Sequence, residues 1–384
     1  MTTNYELIPL SKPHIPTKVL ENIKPVLESG NLSGDGFFCH QVEKKFTKLF
    51  NVNHALLTSS CTHALEMAML LLQAQPNDEV ILPSFTFTST ANAVLVAGLK
   101  PVFCDINPTT MNMDMDDVAK KITNKTRAII PVHYAGIACD MDKLFSLCEG
   151  KNIKIVEDAA HGIGAKWKGK ALGAIGHLGA LSFHETKNVI CGEGGALLIN
   201  DNILNEKAQI IREKGTNRSL FLRGIVDKYT WIEKGSSYIL AEPLAAILDA
   251  EVDIMDELNH KRSLIYGFYC DELKELEQKN ILKLPTIPAD CVSNYHLFHL
   301  ILETEERRNS LMKHLRSKKI NAAFHYIPLH SAPAGLNLGY QVGDFPVTEE
   351  YGPRLLRIPL YPDLTKEQAQ RVVNEIKAWA ISSL

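Results

Sequence analysis

One lysine, Lys187, stands in SFHETKNVICGEGGALLIND (residues 182–201), between a short apolar strand pattern and a glycine cluster that precedes a second apolar strand. A lysine near a strand end, followed by a Gly-Glu-Gly-Gly turn that lets backbone approach closely, is a candidate Schiff-base amine. Three other strand ends carry residues suited to related chemistry. In TSSCTHAL a strand runs through Thr58, Ser59 and Ser60 straight into a helix whose first turn holds Cys61 and Thr62. Free N–H groups and hydroxyls there form a cradle for one phosphate. In IVEDAAHG an apolar strand ends in Glu157 and Asp158, with His161 three residues beyond Asp158. A carboxylate at a buried strand end needs a positive partner, and a cofactor ring nitrogen would be one. In PSFTFTST, Phe85 and Phe87 are two apart, hence expected on one face of an extended strand end, where a phenyl ring would stack on a planar cofactor.

Each feature alone has a plainer reading. Ser60 or Thr62 would simply cap the helix. The acids would form a structural ion pair, the phenylalanines would pack in the core, and Lys187 would be a solvated surface charge. Together they meet the demands of pyridoxal 5′-phosphate: a phosphate cradle, an aromatic plate, an acid for the pyridine nitrogen and an amine for the aldehyde. Their order along the chain, with Asp158 29 residues before Lys187, raises the joint reading above any single part.

The elements needed to position these residues are legible as a pattern. From residue 54 short apolar, β-branched runs alternate with helix-like segments, as in an α/β protein with a largely parallel sheet covered on both faces. Seven strands are expected, at 54–60, 78–87, 100–106, 127–134, 154–160, 179–184 and 195–201. Helices are expected at 61–74, 88–98, 114–121 and 140–150. The last two strands are too close for a helical crossover and should pair antiparallel. After a helical stretch around 242–275, the texture becomes strand (293–302), helix (305–319), strand (320–330) and a last helix from Thr365. That order suggests a large domain over 1–250 and a smaller α+β domain over 251–384.

Composition fits this picture. The 384 residues are 45% hydrophobic and 22% charged, with a net charge of −3, which argues against nucleic acid as a partner. Eight cysteines are scattered without a C-x-x-C, as expected for reduced thiols in a cytoplasmic protein. No apolar run approaches 18 residues and the N-terminus lacks the order of a signal peptide, so neither export nor membrane spanning is expected.

The motifs GDGFFCHQVEKKF, LTSSCTHALEMA, VILPSFTFTSTANA, VHYAGIACDMD, VEDAAHGIGA, SFHETKN, GEGGALLIND and HYIPLH resemble those of the DegT/DnrJ/EryC1/StrS sugar aminotransferases, within the fold type I (aspartate aminotransferase-like) superfamily. The resemblance runs almost end to end. It implies that Lys187 binds the pyridoxal phosphate aldehyde and shuttles a proton, and that Asp158 pairs with the pyridine nitrogen. It further implies that His161 lies near the phenolic oxygen, that Phe87 stacks on the ring, and that Cys61, Thr62 and Ser182 contact the phosphate. QIIREKGTNRS, VDKYTW, GSSY and AFHYIPLHSAPAG resemble the members that aminate C4 of dTDP-4-dehydro-6-deoxy-D-glucose with L-glutamate as donor. Family members act as homodimers with active sites at the interface. Most carry G-x-N-x-R, whose Asn reaches the neighbouring subunit's cofactor phosphate, whereas here Ser237 takes the Asn position. Lys214, Arg218 and Arg223 form a basic loop that would meet the nucleotide diphosphate or simply be solvated. His325 and Tyr326 are further substrate candidates. Relatives that deoxygenate sugars carry histidine in place of the lysine, so Lys187 argues against a dehydratase.

Overall fold

The computed structural model describes residues 6–382. The helices are α1 (Lys18–Ser29), α2 (Phe37–Phe50), α3 (Cys61–Leu71), α4 (Thr88–Val96), α5 (Met115–Lys121), α6 (Met141–Cys148), α7 (Asn205–Arg212), α8 (Arg218–Leu222), α9 (Glu242–Asp253), α10 (Met255–Gln278), α11 (Glu305–Ser317), α12 (Pro333–Asn337), α13 (Pro346–Tyr351) and α14 (Lys366–Ser382). The main-sheet strands are β1 (His54–Thr58), β2 (Glu79–Pro83), β3 (Lys100–Cys104), β4 (Thr126–Ile129) and β5 (Lys154–Asp158). After a two-strand ribbon, β6 (Lys166–Trp167) and β7 (Lys170–Ala171), come β8 (Leu178–Ser182) and β9 (Gly195–Ile199). The later strands are β10 (Leu282–Lys283), β11 (Cys291–Val292), β12 (Phe298–Leu302) and β13 (Leu355–Ile358).

The seven-stranded sheet runs β1-β9-β8-β5-β4-β2-β3. Its neighbours from β8 to β3 are parallel, while β9 pairs antiparallel with both β8 and β1. This is an α/β sheet of the fold type I kind, with β8 and β9 joined as the short connection requires. Strand and helix α3 together explain the packing on one face: Ala64, Leu65 and Ala68 lie in one apolar cluster with Ala180 and Leu197. A second cluster on the other face gathers Val42 and Phe46 of α2, Ala245 of α9, Phe183 and Leu198. The carboxyl ends of β5 and β8 and the start of α3 then open on one side, where ligands collect in such sheets.

A separate apolar core joins Ile8 to residues of α10, β12, α11, β13 and α14, among them Tyr269, Phe298, Leu315, Leu356 and Trp379. The 242–275 stretch is two helices, broken at Ile254, whose ψ of 8° leaves the helical range. Residues 320–330 do not form the strand expected there. They keep one antiparallel bridge, Ala323 to Arg357, and the strand beside β12 is β13. The reason is local: Pro328 has no N–H to give a ladder, and the Leu329 N–H is already committed to the Ser84 carbonyl at 2.9 Å. Among the described residues no helix is long and apolar enough to cross a membrane.

Candidate active site

A cavity of about 670 Å³ opens at those strand ends. At its base β1 passes through Ser59 and Ser60 into α3. The Ser60 hydroxyl caps that helix, accepting the His63 N–H at 3.1 Å. The N–H groups of Cys61 and Thr62, one turn too early for intrahelical acceptors, are left to face a ligand. The Thr62 hydroxyl lies 2.7 Å from that of Ser89, and both residues line the cavity with Cys61 and Ser182. Burial pushes the Cys61 thiol well above its ordinary pKa, so it stays neutral. Gly195 makes the cradle possible: a Cβ there would lie 2.4 Å from the Cys61 nitrogen. The glycine therefore brings β9 under the helix start, rather than making room for a ligand directly.

The two acids at the end of β5 point to opposite sides, as neighbours on a strand must. Glu157 faces inward. One of its oxygens accepts from His133 Nε2 and the Gly173 N–H, both at 2.8 Å, and the other accepts the Ile175 and Gly176 N–H groups at 2.6 Å. It is a fully satisfied structural anchor. Asp158 faces the cavity. It accepts from the Thr90 hydroxyl at 2.8 Å and the Ala160 N–H at 3.2 Å. Burial pushes its carboxyl up, against the lowering effect of those two bonds and of Lys187. A buried carboxylate with so few donors suits a positively charged ring nitrogen.

Lys187 lines the same cavity, half-buried, on a turn closed by its N–H to the His184 carbonyl at 2.9 Å. Burial lowers its amine pKa, with Cys61 and Asp158 opposing. A buried amine held towards neutrality is what a nucleophilic lysine requires. His161 accepts the Ala135 N–H at Nδ1 (3.3 Å), so its proton belongs on Nε2. Burial first, then Lys187 and His296, keep its ring neutral, and the His296 ring lies 4.2 Å away between centroids.

Phe85 and Phe87 do not share a face. β2 ends at Pro83, the chain turns, and Phe85 is buried while Phe87, at the start of α4, is 59% exposed at the cavity mouth. Only Phe87 is placed to meet a ligand. His325 and Tyr326 also line the cavity, their rings stacked 4.1 Å apart. Ser237, Lys214, Arg218 and Arg223 do not line it. Ser237 is exposed, next to Tyr238, whose carbonyl accepts the Ser59 N–H at 2.8 Å. Lys214 and Arg218 both pair with Glu213, at 3.1 and 2.8 Å, and Arg223 Nε donates to the Ser219 carbonyl at 3.3 Å. Within this chain the basic loop is thus partly neutralised and lies outside the cavity wall.

Sequence reasoning missed Thr90, Ser89, His296 and Arg357, all of which bear on this cavity. Arg357 had a signal: it is a lone charge in the apolar run LLRIPL. The others had none, because contacts between distant segments place them. The cradle, the acid, the amine and the ring wall fit pyridoxal phosphate in donor chemistry and in space.

Residues 13–377 match the family described as the DegT/DnrJ/EryC1/StrS aminotransferase family, and the chain belongs to it. It is similar to the spore coat polysaccharide biosynthesis protein SpsC of Bacillus subtilis, 30% identical over 380 residues that cover 96% of each chain. Its fold is similar to that of DesV from S. venezuelae, solved with a ketimine intermediate, at TM-score 0.89 and 31% identity over 98% of this chain and 99% of that one. It is also similar to a sugar aminotransferase of Streptococcus pneumoniae in its PLP form, at TM-score 0.90 and 26% identity over 99% and 100% of the two chains.

Proposed function

We propose that the chain moves an amino group from L-glutamate to C4 of dTDP-4-dehydro-6-deoxy-D-glucose, giving dTDP-4-amino-4,6-dideoxy-D-galactose, the reaction of the dTDP-4-amino-4,6-dideoxygalactose transaminase of enterobacterial common antigen synthesis. One observation carries the transaminase chemistry: Lys187 and Asp158 face a single cavity whose wall includes the start of α3. Pyridoxal 5′-phosphate, the cofactor of this family's aminotransferases, supplies an aldehyde for an amine and a ring that draws electrons from the substrate carbon. Lys187, inclined by burial to lose its charge, takes the proton from the donor carbon and returns a proton at C4 of the sugar. Asp158 holds the proton on the ring nitrogen by its charge, and Thr90 fixes the carboxylate that does so. The N–H groups of Cys61 and Thr62, with the Ser182 hydroxyl, bind the phosphate. Phe87 at the mouth and His161 in the wall are the ring contacts.

The exact sugar rests on the resemblance of QIIREKGTNRS, VDKYTW, GSSY and AFHYIPLHSAPAG to members with that activity. The likeness to a polysaccharide biosynthesis protein supports the substrate class. Domains over 1–250 and 251–384, a cytoplasmic location and a homodimer with interface active sites belong to the same reading. Ser237 and the Lys214, Arg218 and Arg223 loop, which stand outside this chain's own cavity, are then proposed contacts to the neighbouring subunit's ligands.

The test has two stages. L-glutamate added to the cofactor-loaded protein should abolish its visible absorbance band as the pyridoxamine form accumulates. The loaded protein is then offered dTDP- and UDP-linked 4-keto and 3-keto sugars, and the products are identified by mass and NMR. No spectral change with glutamate would sink the transaminase assignment. Amination of only a 3-keto or a UDP-linked sugar would replace the proposed substrate with another nucleotide-linked keto sugar, and deoxygenation without amination would make the chain a dehydratase.

A further inference from the structure

Asn188 directly follows Lys187 in the chain and is buried. Two acceptors settle which way its amide points: Nδ2 donates to the Asn294 carbonyl at 2.7 Å and to Asn259 Oδ1 at 2.9 Å. Oδ1 is then the atom that lies 2.8 Å from His296 Nδ1, and since a carbonyl oxygen only accepts, the His296 proton belongs on Nδ1. The backbone of His296 is fixed as well. Its N–H donates to Asn294 Oδ1 and its carbonyl accepts from Arg262, both at 3.2 Å. Burial keeps the His296 pKa well below its ordinary value, so the ring is neutral and Nε2 carries a bare lone pair. Among the described residues Nε2 has no hydrogen-bond partner, although the buried side chain lines the cavity.

The rest of the wall is rich in donors. Cys61 and Thr62 at the start of α3, Ser182, Arg357 and His161, with its proton on Nε2, all line it. Asp158 is already engaged by Thr90 and Ala160. A fixed lone pair in such a wall calls for a mobile donor, and chain connectivity selects Lys187. The side chain that orients His296 belongs to the residue next to that lysine. Of the charges that act on the His296 ring, Lys187 is foremost, ahead of Arg262 and Arg357. A sugar hydroxyl would also donate, but a sugar enters at the mouth, by the exposed Phe87. His296 is tied instead to Asn188 and Arg262, which border a separate small void together with Lys187.

We propose that His296 Nε2 accepts a hydrogen bond from the Lys187 amine whenever that amine is free, holding it in place between the steps in which it moves a proton. It rests on the aminotransferase reading above. His296 keeps its own proton on Nδ1 throughout, so it positions the base without exchanging a proton with it. A lysine chain has four rotatable carbons, and one acceptor at its tip removes most of their freedom. The remaining groups that face Lys187 are Cys61 of α3, Asp158 of β5 and Arg357 of β13, which act on its amine, and His161 and His325, on which it acts.

The test compares His296→Phe, His296→Asn and His296→Gln with wild type. The asparagine amide reaches only the Nδ1 position and keeps the bond to Asn188, whereas the glutamine amide reaches the Nε2 position with an acceptor. The two differ by one methylene, so a folding defect would not separate them. The first readout is independent of turnover: the pyridoxamine 5′-phosphate form is acetylated with trace acetic anhydride from pH 6 to 10, and modification of Lys187 is followed by peptide mass. An acceptor favours the charged amine, so His296→Phe and His296→Asn should lower the Lys187 pKa by about one pH unit, and His296→Gln should restore it. The second readout is single turnover with L-glutamate and with keto sugar. Lys187 serves both halves, so both should slow by about tenfold in His296→Phe and His296→Asn and stay within about threefold of wild type in His296→Gln. Equal behaviour of the asparagine and glutamine variants would overturn the proposal, as would an unmoved Lys187 pKa in His296→Phe. Loss confined to the keto-sugar half would assign Nε2 to a sugar hydroxyl instead. If pyridoxal 5′-phosphate leaves wild-type Lys187 open to acetylation, the aminotransferase reading itself falls first.

Discussion

Glu251 offers a quantitative test of the ground beneath the Lys187 turn. It lies on α9 at 1% exposure, with Oε1 unpartnered, beside a void of about 10 Å³ that Lys187, Asn188 and Arg262 also line. That is room for about one water. Arg262, a buried cation that lines the same void, gives its Nη1 to the carbonyls of His296 and Leu360. Burial pushes the Glu251 carboxyl up from 4.5 to about 8, the Ile190 N–H opposing. The folded state thus keeps a proton that the unfolded chain releases. Stability attributable to this group falls as pH rises from about 4.5 to about 8, then stops changing. At about 1.36 kcal/mol per pH unit the full loss approaches about 5 kcal/mol. Glu251→Gln keeps the shape and removes the titration. Its advantage over wild type should grow by about 3 kcal/mol between pH 5.5 and 8.5, or about 4 °C in Tm for a chain of this length. Calorimetric melts at both pH values check this. Parallel pH profiles, or a glutamine variant less stable at pH 8.5, would refute the reasoning.

Three further outcomes are expected. Lys187→Ala should hold no cofactor adduct that borohydride can trap, and surviving adduct would mean another amine makes the bond. Asp158→Asn should keep its cofactor but lose about 100-fold or more in kcat, because the ring nitrogen loses the charge that keeps it protonated. A variant with near-normal turnover would remove Asp158 from the chemistry. Gly195→Ala should weaken cofactor retention by about tenfold, as its Cβ would collide with the Cys61 nitrogen and push the helix start off its mark. Equilibrium dialysis of the cofactor measures it, and wild-type retention would show that the cradle tolerates the shift.

The sequence by itself settled the elements whose signals are local. Apolar runs of strand length alternating with helical segments named seven sheet strands, and the short spacing between β8 and β9 required the antiparallel pair that forms. Asp158, Thr62 and Ser182 were legible as cavity residues because each ends a strand or starts a helix, and Lys187 because its turn follows β8; such ends gather on one side of a parallel sheet. What tertiary structure alone decided depends on contacts between distant segments. Glu157 and Asp158 look alike in sequence, but the pleat sends one to four donors in the interior and the other to the cavity. Phe85 and Phe87 were separated because β2 stopped at Pro83, and residues 320–330 gave up their strand to a bond with Ser84. Arg357 reads as one charge in an apolar run. Only the pairing of β13 with β12 brings it from near the end of the chain to the wall that Lys187 shares, and a pairing of that range is fixed by the whole core rather than by its neighbours in sequence.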